Sequence, residues 1–303
     1  MKRKSRRFVA VDALLILLMV VPMLCAIVLK VLTSPASEGI SITGAQIYFT
    51  VPMPIQDLPI TSAQINSWLV MISIFGLCLY FTHGLKVRGG TTRQHIAEWI
   101  VQTTESMVKD SMGDFFAGYA PFIASIIALS AFSSLQSLLG LYPPTSDINV
   151  VAGWAILVFI LITYYKLKGG LGNYLKGFTE PIVVMTPLNI LGEVATPISM
   201  AFRHYGNVLS GSVIAVLIAA ALQGASSLIL GWLPGILGEI PFLQIGIPAV
   251  LSAYFDVFSG CMQAYIFAML TMLNVSGGFP AELYEQRKQK KLAKKNQKTK
   301  ENN

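Results

Sequence analysis

Hydrophobic residues in this chain fall into long, unbroken runs separated by short polar stretches. The period-two alternation of barrel strands is missing. The first run extends from about Phe8 to Leu32, with Pro22 as a kink, and the second from about Asn66 to Leu85. A third covers Tyr119 to Leu141 and a fourth Val150 to Lys168. Each is long enough for a helix to cross a bilayer, which takes about 20 residues. The last two runs, about Pro187 to Ala225 and about Leu237 to Val275, are longer. At about 1.5 Å per residue such helices reach about 55 Å. The hydrocarbon layer is about 30 Å thick, so they must tilt, bend or lie partly along the membrane.

The segment TTRQHIAEWIVQTTESMVKDSMGDFF patterns differently. Ile96, Trp99, Ile100 and Met107 share one helical face, while Arg93, Glu98, Glu105, Lys109 and Asp110 mark the polar side. This spacing predicts an amphipathic helix in the membrane interface. The expected fold is an all-α polytopic membrane protein. It has about six hydrophobic helices, the last two long and tilted, plus the interfacial helix. Residues 1–33 form an N-terminal hydrophobic helix, anchor or signal, and 34–65 an outer segment. Residues 66–277 form the main membrane domain and 278–303 a basic tail. No internal repeat stands out, which weighs against inverted-repeat transporters.

Composition agrees: 54% of the 303 residues are hydrophobic and 12% charged. The formal net charge of +7 gathers at the ends, in MKRKSRR and RKQKKLAKKNQKTKENN. The tail has no interleaved aromatics or reader module, so nucleic-acid binding is not expected. Its basic residues serve orientation and solubility, or contact with anionic lipid. The Lys and Arg bias places both termini in the cytoplasm. Basic residues precede the first span and follow the second and fourth, whereas residues 33–65 and the PPTSDIN turn carry none. The first run could be a signal peptide, but its length, Asp12 and Pro22 favour a retained helix. Cys25, Cys78 and Cys261 show neither metal spacing nor a disulfide framework.

The chemistry gathers around one residue. Arg203 is the only Lys or Arg between Lys176 and Arg287, and it sits in ISMAFRHYGNVLSGSVIAVLIAAAL. A guanidinium stays charged at ordinary pH, and burying it at the bilayer centre costs at least about 3 kcal/mol. Thr196, Ser199, Arg203, Asn207 and Ser210 follow spacings of three and four, so they form one stripe on a helix. Gly206 and Gly211 keep the surface beside it small. Asp256, Ser259, Gly260 and Gln263 repeat the pattern on the last helix. One reading is a structural salt bridge of Arg203 with Asp256 or Glu193 plus polar contacts between helices. The other is an ion path, the commoner reason for ionisable groups in a membrane. His204 points about 100° from Arg203 and reads as packing or interface, with a proton-handling role as the lesser alternative; it has no second ligand at metal spacing.

ATPISMAFRHYGNVLSG resembles the fifth-helix signature of subunit a of rotary, F-type ATP synthases. PPTSDINV, GFTEPIVVMTPLNILGE and DVFSGCMQAYIFAMLTMLNV resemble, in order, its hairpin loop, the entry to its long helix and its final helix. The resemblance covers about residues 64–277. It implies an ion-translocating stator subunit, with two offset half-channels leading ions to and from a ring of c subunits. Its implied partners are the c-ring, the subunit b stalk, other synthase subunits and the lipid bilayer. It further implies a bacterial plasma membrane, since the N-terminal run is apolar and unlike a transit peptide. Arg203 matches the arginine that separates the half-channels and draws the ring carboxylate into its charged form. Asn207 and Gln263 match polar residues near it. Asp256 matches an outer half-channel position and Asp147 the aspartate of the outer hairpin loop.

The chain departs from the family pattern in places. Ser212 stands where a second acid or His is frequent, and Asn189 where many members carry a carboxylate. Glu193, one turn nearer Arg203, is the candidate replacement, with Ser199 and Ser210 completing the path. No cofactor or metal is expected, and no GxxxxGK[ST] motif provides an ATP site of its own. The competing classes are a stand-alone transporter, with Arg203 binding an anionic substrate, and an intramembrane enzyme. The second has no GxSxG or HExxH motif to support it.

Overall fold

The computed structural model describes residues 6–33, 44–54, 56–87, 90–168, 170–179, 182–230 and 246–279, with positions 243, 282 and 289. Helix α1 spans Arg6–Thr33; strands β1 (Ile47–Val51) and β2 (Leu58–Thr61) follow, then α2 (Ser62–Thr82), α3 (Thr92–Met112) and α4 (Ala120–Leu135). Next come α5 (Ile148–Lys168), α6 (Leu171–Thr179), α7 (Thr186–Leu230), α8 (Ile247–Ser252) and α9 (Gly260–Gly277). Short 3-10 turns enter α4 and α7 and shape the α4–α5 connection, and a π-helical turn, Ala253–Ser259, joins α8 to α9. Among the described residues six helices are long and apolar enough to cross a membrane. The chain is an all-α multi-pass membrane protein.

Helix α7 is a continuous 45 residues. At about 1.5 Å each it measures about 68 Å, twice the hydrocarbon thickness. The last helical region runs from Ile247 to Gly277 through the π turn. The part of the sixth run expected before it, 237–242 and 244–245, lies outside the described residues, as does nearly all of the basic tail. Within the outer segment, Ile47–Val51 and Leu58–Thr61 pair as an antiparallel hairpin, which the helical reading did not anticipate. Residues 34–43 lie outside the described set.

The main core joins α3, α4, α5, α7 and α9 through Val108, Met112, Ile123, Val158, Met200, Phe267 and Met272. Small residues set the close contacts. A Cβ on Gly260 would lie 2.6 Å from Ser134 Cβ, and one on Gly211 would lie 3.0 Å from the Phe255 ring. Helix α3 packs through Thr104, Val108 and Met112. It leaves Ile96, Trp99 and Ile100 on the surface, as an interfacial helix does towards lipid. Met107, grouped with them in sequence, instead packs against the core.

Helix α1 is part of this assembly. It lies along α2, where a Cβ on Gly76 would come within 3.0 Å of the Met19 backbone nitrogen. Asp12, the charge that looked out of place in an apolar run, accepts hydrogen bonds at 2.9 Å from Arg93 and at 2.9 Å from His83 Nδ1. Phe8 stacks on the His83 ring, and Gly84, at φ +78°, makes room for it. At the other end Lys30 donates to the Gly140 carbonyl, and Gln46 donates to that of Thr33.

Candidate functional site

Helix α7 runs antiparallel to α9 and the π turn before it, and four contacts fix the register. Asn274 Nδ2 lies 3.8 Å from Met200 Sδ, and the rings of His204 and Phe267 stand 5.6 Å apart. Asn207 Nδ2 donates to Ser259 Oγ at 2.7 Å, and Gly211 lies against Phe255. This register sets Gln263, buried on α9, at the level between His204 and Asn207. Asp256 follows in the π turn, half-buried, beside the Gly211 contact. Such π turns inside helices are frequent at functional sites.

The buried and exposed sides of α7 explain where Arg203 points. Pro197, Met200, Ala201, His204 and Gly211 are buried against α4, α5 and α9. His204 is fully buried, with Nε2 3.3 Å from Ser130 Oγ and its ring edge-on to Trp154 and Phe267. It is packing, as the sequence suggested, and it fixes the rotation of α7. Arg203, one position earlier, is therefore exposed, together with Ser199 and Ser210; Asn207 and Thr196 are half-buried. Phe202, Ile198 and Leu217 are exposed apolar residues on the same stretch of α7.

Among the described residues Arg203 makes no ion pair. Neither structural bridge considered from the sequence forms. Glu193 pairs with Lys166 instead, at 3.0 Å, and accepts a hydrogen bond from Tyr174 at 3.1 Å. Burial first, and then the nearby Glu193 carboxylate, push the Tyr174 phenol up from its ordinary value, so it remains a donor. Asn189 donates to the Phe178 carbonyl at 2.8 Å and so ties α7 to α6. Ser210 and Ser212 return hydrogen bonds to α7 carbonyls.

Asp147 lies away from this surface, at the start of α5. Its Oδ1 accepts from the Asn149 backbone at 2.9 Å, a helix-capping arrangement that the sequence reading did not separate from a path role. Burial, followed by the Asp147 charge, raises the neighbouring Tyr142 phenol. Lys166, Tyr174 and Asn274 were missed. Each sits at a helix end or in a connecting helix, where a polar residue carries no signal of its own. Among the described residues no cluster of His, Cys, Asp and Glu could hold a metal ion.

Residues 64–276 match the family described as ATP synthase A chain. The chain belongs to that family. ATP synthase subunit a of Legionella pneumophila (strain Paris) is 28% identical over 226 residues, covering 74% of this chain and 89% of the relative. That of Macrococcus caseolyticus is 30% identical over 216 residues, 67% of this chain and 83% of the relative. A relative from Propionigenium modestum, named ATP synthase subunit a, sodium ion specific, is 27% identical over 268 residues, 78% of this chain and 85% of the relative. The chain is thus the ion-translocating subunit a of an ATP synthase membrane sector, a multi-pass component of a larger complex, and other synthase subunits are its partners. The reading as a stand-alone transporter is not favoured.

Proposed function

We propose that Arg203 is the charge against which a ring of c subunits turns, and that the chain itself is non-catalytic. The observation that carries this is the direction of Arg203: exposed, unpaired among the described residues and set in an apolar surface. A guanidinium left to lipid costs at least about 3 kcal/mol, so this surface calls for an anion from a partner. A carboxylate about 4 Å away at intermediate dielectric gains about 4 kcal/mol. It is thereby held as the anion and gives up its ion on arrival. Lysine would serve less well, because a desolvated ammonium can lose its proton.

Ser199 and Thr196 extend the stripe towards one membrane face, with Glu193 beyond them. Asn207, Ser210, Gln263 and Asp256 extend it towards the other. These are the walls of the two half-channels, the first opening to the cytoplasm, as the basic loops indicate. Asp147 marks the outer loop. Subunit b binds elsewhere on the chain, and the complex lies in a bacterial plasma membrane. The domain division of the sequence reading, 66–277 as the translocating unit, is retained.

The direct test is disulfide cross-linking of Ser210→Cys to cysteines placed along the outer helix of the c subunit. Efficient cross-linking at ring positions near its carboxylate is expected. Cross-linking to lipid-facing probes alone, with no ring recovered in pull-downs, would overturn the assignment.

A further inference from the structure

A cavity of about 240 Å³ opens between α5, α7 and α9, lined by Ile162, Lys166, Glu193, Thr196, Asn274 and Gly278 among others. Polar side chains from α5, α7 and α9 share its lining with apolar ones, and it holds the Lys166–Glu193 ion pair at 3.0 Å. The Glu193 side chain is only 9% exposed and the Lys166 side chain 30%. The lysine stem has its own seat: a Cβ on Gly278 would lie 3.0 Å from Lys166 Cγ and 3.0 Å from Cε. Tyr174 of α6 holds the same Glu193 oxygen from another side. The charged and titratable groups facing Glu193 are therefore Lys166 from α5 and Tyr174 from α6, while α9 offers the neutral Asn274.

The cavity shares one residue with the Arg203 stripe. Thr196 lines it, and Ser199 and Arg203 follow at spacings of three and four on the same face of α7. We propose that this cavity is the antechamber of the cytoplasmic half-channel and that Lys166 is the residue that sets ion passage through it. This rests on the translocation reading above. The physical reason is that a conducting site must bind an ion well enough to admit it and weakly enough to release it. An unpaired carboxylate in a small cavity would trap cations. An unpaired ammonium would exclude them. The Lys166–Glu193 pair keeps the chamber polar and wet with little net charge. Lys166 is thus a positioning residue: it acts on the ion through Glu193.

The test uses the assembled complex in inverted vesicles, which expose the cytoplasmic face, with Cys25, Cys78 and Cys261 changed to Ala and Thr196→Cys as reporter. Cationic and anionic methanethiosulfonates probe the charge an entering ion meets. Labelling from the cytoplasmic side is expected. Its cation-to-anion rate ratio should rise about fivefold in K166Q, fall about fivefold in E193Q, and return near the reference in the double variant. ATP-driven pumping should fall in each single variant and recover in the double. A pair that only holds helices together would leave the labelling ratio unchanged. An unchanged ratio, or no labelling at position 196, overturns the proposal. If K166Q does not assemble, Gly278→Val displaces the lysine stem and must raise the ratio in the same direction; an unchanged ratio there is equally fatal. Arg203→Ala is run in parallel. If it pumps normally, the translocation reading itself has failed. If it is dead while every Lys166 and Glu193 variant pumps like the parent, only the antechamber is lost.

Discussion

Arg203 and His204 are neighbours with opposite fates, and the difference is one step of helix rotation. His204 meets Ser130, Trp154 and Phe267, which fixes that side of α7 inward. The next spoke of the helix then carries Arg203 out. Replacing His204 by Ala removes a fully buried ring. A cost of about 2–4 kcal/mol is expected, as for other large-to-small core changes. It would read as a lower thermal midpoint of the detergent-solubilised complex, and an unchanged midpoint would show the site collapses freely. Asp256→Asn should slow ion flux from the outer side while the complex still assembles; normal pumping across a wide pH range would contradict a lining role. At Tyr174 the sign is set by the raised phenol. The folded chain holds that proton more tightly than the unfolded one, so the Glu193 contact contributes fully below about pH 10. It is lost as pH rises through the raised value. Tyrosinate absorbance should therefore show Tyr174 among the late-titrating phenols, Tyr142 being another, and Tyr174→Phe should reduce their number by one.

Among the elements, the long runs were legible because lipid demands unbroken hydrophobicity over the span. The amphipathic α3 was legible because Glu98, Glu105 and Lys109 fall on one side; Arg93, expected with them, instead turns inward to Asp12. The hairpin of β1 and β2 was not: its strands are short and mostly exposed, so burial imposes little alternation. The fixing of α1 was also hidden, because Asp12 finds its partners 71 and 81 residues away. Sequence spacing carries no trace of such a contact. The structure makes a prediction here. Asp12→Ala leaves Arg93, whose side chain is 16% exposed, without its carboxylate. Removing one partner of such a mostly buried pair costs about 3 kcal/mol. The first helix should then become accessible to protease at its α2 face, and protection equal to wild type would argue that Gly76 and the helix packing suffice alone.

At the scale of the whole molecule, the fold buries one side of α7 and leaves the Arg203 stripe bare, which is the shape of a part made to meet another part. The stripe itself was readable from its three-and-four spacing. Its lack of an internal partner was not, since Glu193 and Asp256 were both available on paper. Only packing shows that Lys166 takes Glu193. The most direct measurement is ATP-driven ion pumping by membranes carrying Arg203→Ala, with assembly of the complex verified by pull-down. The account predicts a fully assembled complex with no coupled pumping. Appreciable coupled pumping in that variant would contradict it.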